Sequence, residues 1–217
     1  MRARSGRCRL RERKKRPTGQ YISDVATHLF IERGFDAVTI AEIAEASDVS
    51  LNTVYNYFST KEDLFLDRSQ GVVERLSRFL RARDPGEPAA DAVLRELRAA
   101  TGTVSPALGP HAGYDRFMKV VQESHSLRSR LWFIQQDLLV HLEKTLREET
   151  GAGEPDSLPT LVAGQLAWAH GTLVAFIGRL TLAGRTPEET SREALALLDD
   201  IEEVLGTKVL KYAVRQG

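Results

Sequence analysis

Three helix-start signals lie close together in this chain, at Thr39, Ser50 and Thr60. Thr39 with Glu42 reads as a capping box, in which each side chain satisfies the other residue's backbone N–H. Ser50 caps a second helix, and Thr60 with Asp63 caps a third. Starts this closely spaced dictate short helices separated by tight breaks. Their inward residues are Ile40, Ile43 and Ala44, then Val54 and Phe58, then Leu64 and Phe65. Ser47-Asp48 breaks the first of them. Asp48 falls where such a turn uses a left-handed backbone, which glycine adopts easily and aspartate tolerates.

The rest of the chain has the same helical period. Ile22, Val25, Ala26, Leu29 and Phe30 form one apolar face over about Thr18 to Arg33, and Gly34 suits the left-handed position that ends a helix. The helix capped at Thr60 extends inward residues as far as Val72, Leu76 and Phe79. Asp84 to Pro88 is a Pro/Gly break and the expected domain boundary. Further helices are expected over Ala89–Ala100, Gly113–Glu123, Ser126–Glu149 and Thr160–Ala183. Thr186-Pro187-Glu188-Glu189 opens the last with a cap, a first-position proline and acids in the first turn. No alternating strand pattern occurs. The reading is all-α: an N-terminal three-helix helix-turn-helix domain over 17–83, joined through its fourth helix to a C-terminal helical domain over 84–217, with about nine helices in all.

Charge and cysteine content narrow the function. The net charge is +0, but it is unevenly spread. Nine basic residues lie between Arg2 and Arg16, opposed only by Glu12. Residues 1–16 therefore read as a basic disordered arm on an acidic body, a distribution suited to a polyanion. Cys8 is the single cysteine, so no intrachain disulfide forms. The longest apolar run, Leu161 to Leu182, is interrupted by Gln165, His170 and Arg179, which favours a buried helix over a membrane span. The five histidines are scattered, with no metal-ligand or nucleophile motif, so neither an enzyme, a metal nor a cofactor is expected.

Two helices joined by a short break are what a helix-turn-helix needs to project its second helix into a major groove. With Val54 inward, Leu51, Asn52, Thr53, Tyr55, Asn56 and Tyr57 are left for solvent or a partner. Amides, hydroxyls and phenols bond phosphates and base edges. Lys61 adds a cation at the next helix start.

The stretch "FIERGFDAVTIAEIAEASDVSLNTVYNYFSTKEDLF" resembles the DNA-binding domain of the TetR/AcrR family of transcriptional regulators. The resemblance covers about Lys15 to Arg68. It departs from the family pattern at Asp48, where glycine is usual, and at Pro17 and Gly19. It implies that Thr39, Ser50, Tyr55, Tyr57 and Lys61 meet phosphates of double-stranded operator DNA, and that Ala41, Leu51, Asn52, Thr53 and Asn56 lie where bases are read. It also implies a C-terminal half that forms a homodimer and binds a small-molecule effector. Ala163, Ala167, Gly171 and Ala175, recurring every fourth residue, and the stripe Ala194, Leu197, Leu198 and Ile201 are the dimer candidates. Phe117, Met118, Val121, Trp132, Gln136, Trp168, His170 and Phe176 are the effector candidates. The function implied is a cytoplasmic, ligand-released repressor with no membrane partner. The alternative is a dimeric small-molecule-binding helical protein without DNA-binding activity.

Overall fold

The structure, a computed structural model, describes residues 5–67, 69–105 and 113–215, with side chains from residue 18 onward except at 69 and 70. Among the described residues all regular structure is helical. The chain divides into two compact units, one of residues 1–68 with 120–130, the other of 69–119 with 131–217.

The first unit contains α1 (Ser5–Arg33), α2 (Ile40–Ala46), α3 (Leu51–Tyr57) and α4 (Lys61–Phe65). The basic segment is helical from Ser5 on, rather than a disordered arm ending before a helix at Thr18. Its Arg, Lys, Leu and Glu residues are good helix formers, and this preference carries the helix through Pro17. Ile22, Ala26 and Phe30 of α1 are fully buried with Ile43, Val54 and Leu64. Phe30, Phe35 and Phe65 form an aromatic trio, with centroids 4.8, 5.6 and 6.3 Å apart. Pairs at such spacing contribute about 0.5–1.5 kcal/mol beyond area burial. The Ser23 hydroxyl donates to the Leu64 carbonyl at 3.0 Å and ties α4 to α1.

The second unit begins earlier than the Asp84–Pro88 break. The helix expected to run on from Thr60 is three pieces: α4, α5 (Ser69–Val73) and α6 (Arg75–Arg81). Asp84–Pro88 is a turn inside the unit, because Leu76 and Leu80 share one core with Ala89, Val93 and Leu97 of α7 (Ala89–Gly102). Next come α8 (Tyr114–Glu123) and α9 (His125–Thr150), each with residues in both units. Then follow α10 (Leu158–Leu182), α11 (Pro187–Val204) and a short α12 (Thr207–Leu210) beyond the expected last helix. The backbone after α12 pairs back onto the turn: Gly86 N–H donates to the Arg215 carbonyl at 2.9 Å, and Arg215 N–H to the Glu87 carbonyl at 3.1 Å. Arg83 is buried, its guanidinium bonded to the Leu80 carbonyl at 2.6 Å and to Glu149 at 2.8 Å.

By length and composition α10 could cross a membrane. Here it is a core helix, burying Val162, Leu166, Leu173 and Ile177. Its packing corrects the dimer assignment. Ala163, Ala167, Ala194, Leu198 and Ile201 are buried within the single chain, and Leu197 is partly covered by the same core. These side chains, Leu197 only in part, fill the contacts among α7, α10 and α11. Gly171 meets Gln135 of α9: a Cβ there would stand 2.8 Å from the amide nitrogen. Of the small-residue row, Ala175 alone is exposed.

Gly171→Leu is therefore expected to destabilise the fold itself. Overpacking at one site costs about 1–3 kcal/mol. Thermal unfolding of the full chain checks this. A variant that melts normally but sediments as a smaller species would place Gly171 at a subunit boundary instead.

Candidate functional site

The first candidate surface is the α2–turn–α3 segment. α2 ends in a paired-bond motif: Val49 N–H donates to the Ala44 carbonyl at 3.0 Å, and Asp48 N–H to the Glu45 carbonyl at 3.1 Å. This motif needs a left-handed residue after the cap. Asp48 supplies it at φ 52°, in the region anticipated for it. The chain then re-enters helix at Ser50, whose hydroxyl accepts from Thr53 N–H at 3.1 Å.

α3 buries Val54 and turns Leu51, Asn52, Tyr55 and Asn56 outward together. Leu51 is 45% exposed and Tyr55 51%. Ala41 of α2 is also exposed. Four other candidates have intrachain engagements. The Thr39 hydroxyl is held by Glu42 in the capping box. Ser50 and Thr53 hydroxyls lie 2.8 Å apart and bond each other. Tyr57 is half-buried, and its ring edge lies 3.0 Å from where a Cβ on Gly19 would be. Gly19 thus admits the Tyr57 ring against α1.

Lys61 is less free than a surface cation. Its ammonium stands 4.4 Å from the Phe35 ring centroid and 5.6 Å from that of Phe30. Partial burial lowers its pKa, against the raising effect of Asp36, Glu62 and Glu42. The cap of α4 is doubly bound. Asp63 accepts from Thr60 N–H at 3.2 Å, and its other oxygen accepts two bonds from Arg130 of α9, at 3.1 and 3.2 Å.

The second candidate site lies in the second unit. His170 is 1% exposed, and neither ring nitrogen has a hydrogen-bond partner. Burial, with the Arg75 charge added, pushes its pKa down to about 4. Burial likewise pushes Tyr114 up to about 12, opposed by Arg75. Phe117, Met118 and Phe176 are part-buried in this unit. Four other effector candidates are placed differently. Val121 is buried in the first unit, while Trp132 (58% exposed), Gln136 and Trp168 (48%) face outward. Arg75, Tyr114 and Gln135 were not anticipated. Arg75 repeats at helical spacing with the apolar Val72, Leu76 and Phe79, and Gln135 with Leu131, Leu138 and Leu142, so helix phase would have found both. Among the described residues there is no cluster of three or more metal-ligating side chains.

Residues 22–67 match the model of bacterial regulatory proteins of the tetR family. The chain is 33% identical over 95 residues to the HTH-type transcriptional regulator TcmR of Streptomyces glaucescens, covering 44% of this chain and 42% of that protein. It is 36% identical over 83 residues to AcrR of Shigella flexneri, covering 37% and 38%. These matches span less than half the length of the curated relatives. The fold extends further. The structure of NalD, the secondary repressor of the MexAB-OprM multidrug efflux pump in Pseudomonas aeruginosa, superposes with a TM-score of 0.58 at 18% identity, covering 89% of this chain and 98% of that one. Salmonella enterica GusR gives 0.54 at 17%, covering 90% and 95%.

The low His170 pKa sets a pH dependence. The unfolded imidazole takes up a proton near pH 6.5 and the folded one only near 4. Stability is whole above pH 6.5 and falls as pH drops through that window, by about 3 kcal/mol from this residue. Urea unfolding at pH 7 and pH 4.5 should show a smaller loss in His170→Leu than in wild type. Equal losses would mean that His170 is not buried neutral.

Proposed function

Because the chain belongs to the tetR family of bacterial regulatory proteins, we propose that it is a cytoplasmic homodimeric repressor that a small molecule releases from operator DNA. The observation that carries this reading is the outward face of α3. Leu51, Asn52, Tyr55 and Asn56 project together from a helix held by a short turn. Side chains of these kinds read base edges and bond phosphates in a major groove.

Electrostatics gives the basic segment a part. Between Thr18 and Asp67 nine carboxylates face only Arg33 and Lys61 among the fixed charges. Such a surface repels DNA unless cations are supplied nearby. The nine basic residues of the first sixteen supply them. On this reading α3 selects sequence, and the basic segment provides most of the salt-sensitive affinity.

The dimer uses the outer face of α10. Leu161, Gln165, Trp168, Thr172, Ala175 and Arg179 recur at alternating steps of four and three. All are exposed except the part-buried Thr172. This is the spacing of a helix that packs against another in a bundle. A second copy related by two-fold symmetry would cover that face on both subunits. Two recognition helices would then be presented to major grooves about 34 Å apart. Release is a population shift toward a dimer without that spacing. α9 suits the coupling, since it carries Arg130, bonded to the α4 cap, and Gln135, seated against Gly171.

Fluorescence anisotropy on the DNA upstream of the protein's own gene tests the reading. Deleting residues 1–16 should lower affinity for every sequence and flatten its salt dependence, whereas Asn52→Ala should change which bases matter and leave the salt slope alone. Absence of binding by the full chain would leave the small-molecule-binding alternative.

Trp168→Glu should convert the dimer to monomer in sedimentation. Operator affinity should fall with it, because one α3 reads only a half-site. A Trp168→Glu dimer with normal DNA binding would move the interface off this face.

A further inference from the structure

Gly19 lies inside α1, where glycine weakens a helix relative to alanine. Its φ is not positive, so the backbone does not call for glycine. Space calls for it. A Cβ at Gly19 would stand 3.0 Å from Cδ1 of Tyr57 and 3.5 Å from Cε1. Apart from the backbone of α1 itself, the three atoms nearest to that position all belong to the Tyr57 ring.

α3 has few other holds. It is seven residues long, buries only Val54, and is capped at Ser50. Tyr57 is its last residue, three positions beyond Val54 and on the same face. The ring therefore anchors the end of α3 opposite to the cap. With a methyl group at residue 19, the ring has to withdraw by roughly 0.5 Å to regain ordinary carbon–carbon contact. Tyr57 stands about 4.5 Å along the axis from Val54 at helical rise, so α3 pivots about Val54 by several degrees. A hydrogen bond to a base edge works only within a window of about 0.5 Å, and such a pivot uses up that window. The basic run from Arg7 to Arg16 precedes Gly19 in the same helix. Its long side chains suit phosphates, which position the protein and carry no sequence information. Gly19 thus lies where the helix that carries the basic run meets the helix that offers polar groups to bases.

We propose that Gly19 is a specificity-determining position and Tyr57 a positioning residue. By admitting the ring against α1, Gly19 holds α3 in the pose from which its outward face reads bases while the basic run grips phosphates of the same site. Filling the seat leaves DNA binding in place and removes its selectivity. This inference rests on the DNA-binding reading above.

The test is anisotropy with two duplexes of equal length, the DNA upstream of the protein's own gene and a random sequence, well below the melting temperature. The readout is the ratio of the two affinities. Gly19→Ala should lower the ratio about tenfold, the size of one lost base-pair readout. Affinity for random DNA and its salt slope should stay unchanged. Melting should change little, because the better helix former offsets the crowding. Tyr57→Phe keeps the ring and should keep the ratio. Tyr57→Leu should lower the ratio, and adding Gly19→Ala to it should lower it no further. An unchanged ratio in Gly19→Ala would overturn the proposal, as would a proportional loss for both duplexes, the mark of unfolding. A ratio lost in Tyr57→Phe would overturn it too, by moving the role to the hydroxyl. Wild type that binds both duplexes equally would instead remove the DNA-binding reading on which the proposal rests.

Discussion

Val54 is the single buried residue of α3, and the outward face of that helix depends on it. Seven residues cannot hold a helix in water unaided, because nucleation consumes most of what so few hydrogen bonds return. α3 persists because Val54 is wholly enclosed, because Ser50 caps its start, and because Tyr57 rests against α1 at Gly19. The same enclosure fixes rotation. With Val54 inward, Asn52, Tyr55 and Asn56 point out, and Leu51, at the helix start, is exposed as well. Hydrophobic burial on one side thus determines which polar groups are offered on the other.

Asp48 shows how local strain serves that arrangement. A non-glycine residue at positive φ costs roughly 1–2 kcal/mol, less for aspartate than for most. Two backbone bonds from Val49 and Asp48 to the last turn of α2 offset it. The turn stays short, and α3 leaves α2 at once. The aromatic trio of Phe30, Phe35 and Phe65 holds the remaining helices of the unit, and the Lys61 ammonium lies over two of its rings. Lys61 therefore has a packing role in addition to whatever charge it presents outside.

Local signals in the sequence were easy to read. The capping boxes at Thr39–Glu42, Thr60–Asp63 and Thr186–Glu189 all form, and Asp48 and Gly34 take left-handed backbone. The all-helical fold follows from such signals together with the apolar period. What stayed illegible was tertiary. Leu66 to Ser69 contains neither glycine nor proline, so nothing local announces the break between α4 and α5. On α10 nearly every position is apolar or small, so the period gives almost no phase. The small-residue row suggests a subunit face, yet it packs largely within the chain, and Leu161 and Trp168 are the exposed large apolar residues of the helix. Trp132, Gln136 and Trp168 looked like pocket residues by chemistry alone. Helix phase puts Gln135, not Gln136, on the inner side.

The two units solve opposite electrostatic problems. The first has an acidic body and needs cations to approach a polyanion, and it can borrow them from a segment outside its core. Such cations remain in water, where they cost little and respond to salt. The second keeps its inner charges paired within the fold: the buried Arg83 bonds Glu149 at 2.8 Å, and Arg98 reaches Asp199 at 2.9 Å and Glu202 at 2.6 Å. A buried charge is costly unless it is paired in this way, and a paired one responds little to salt.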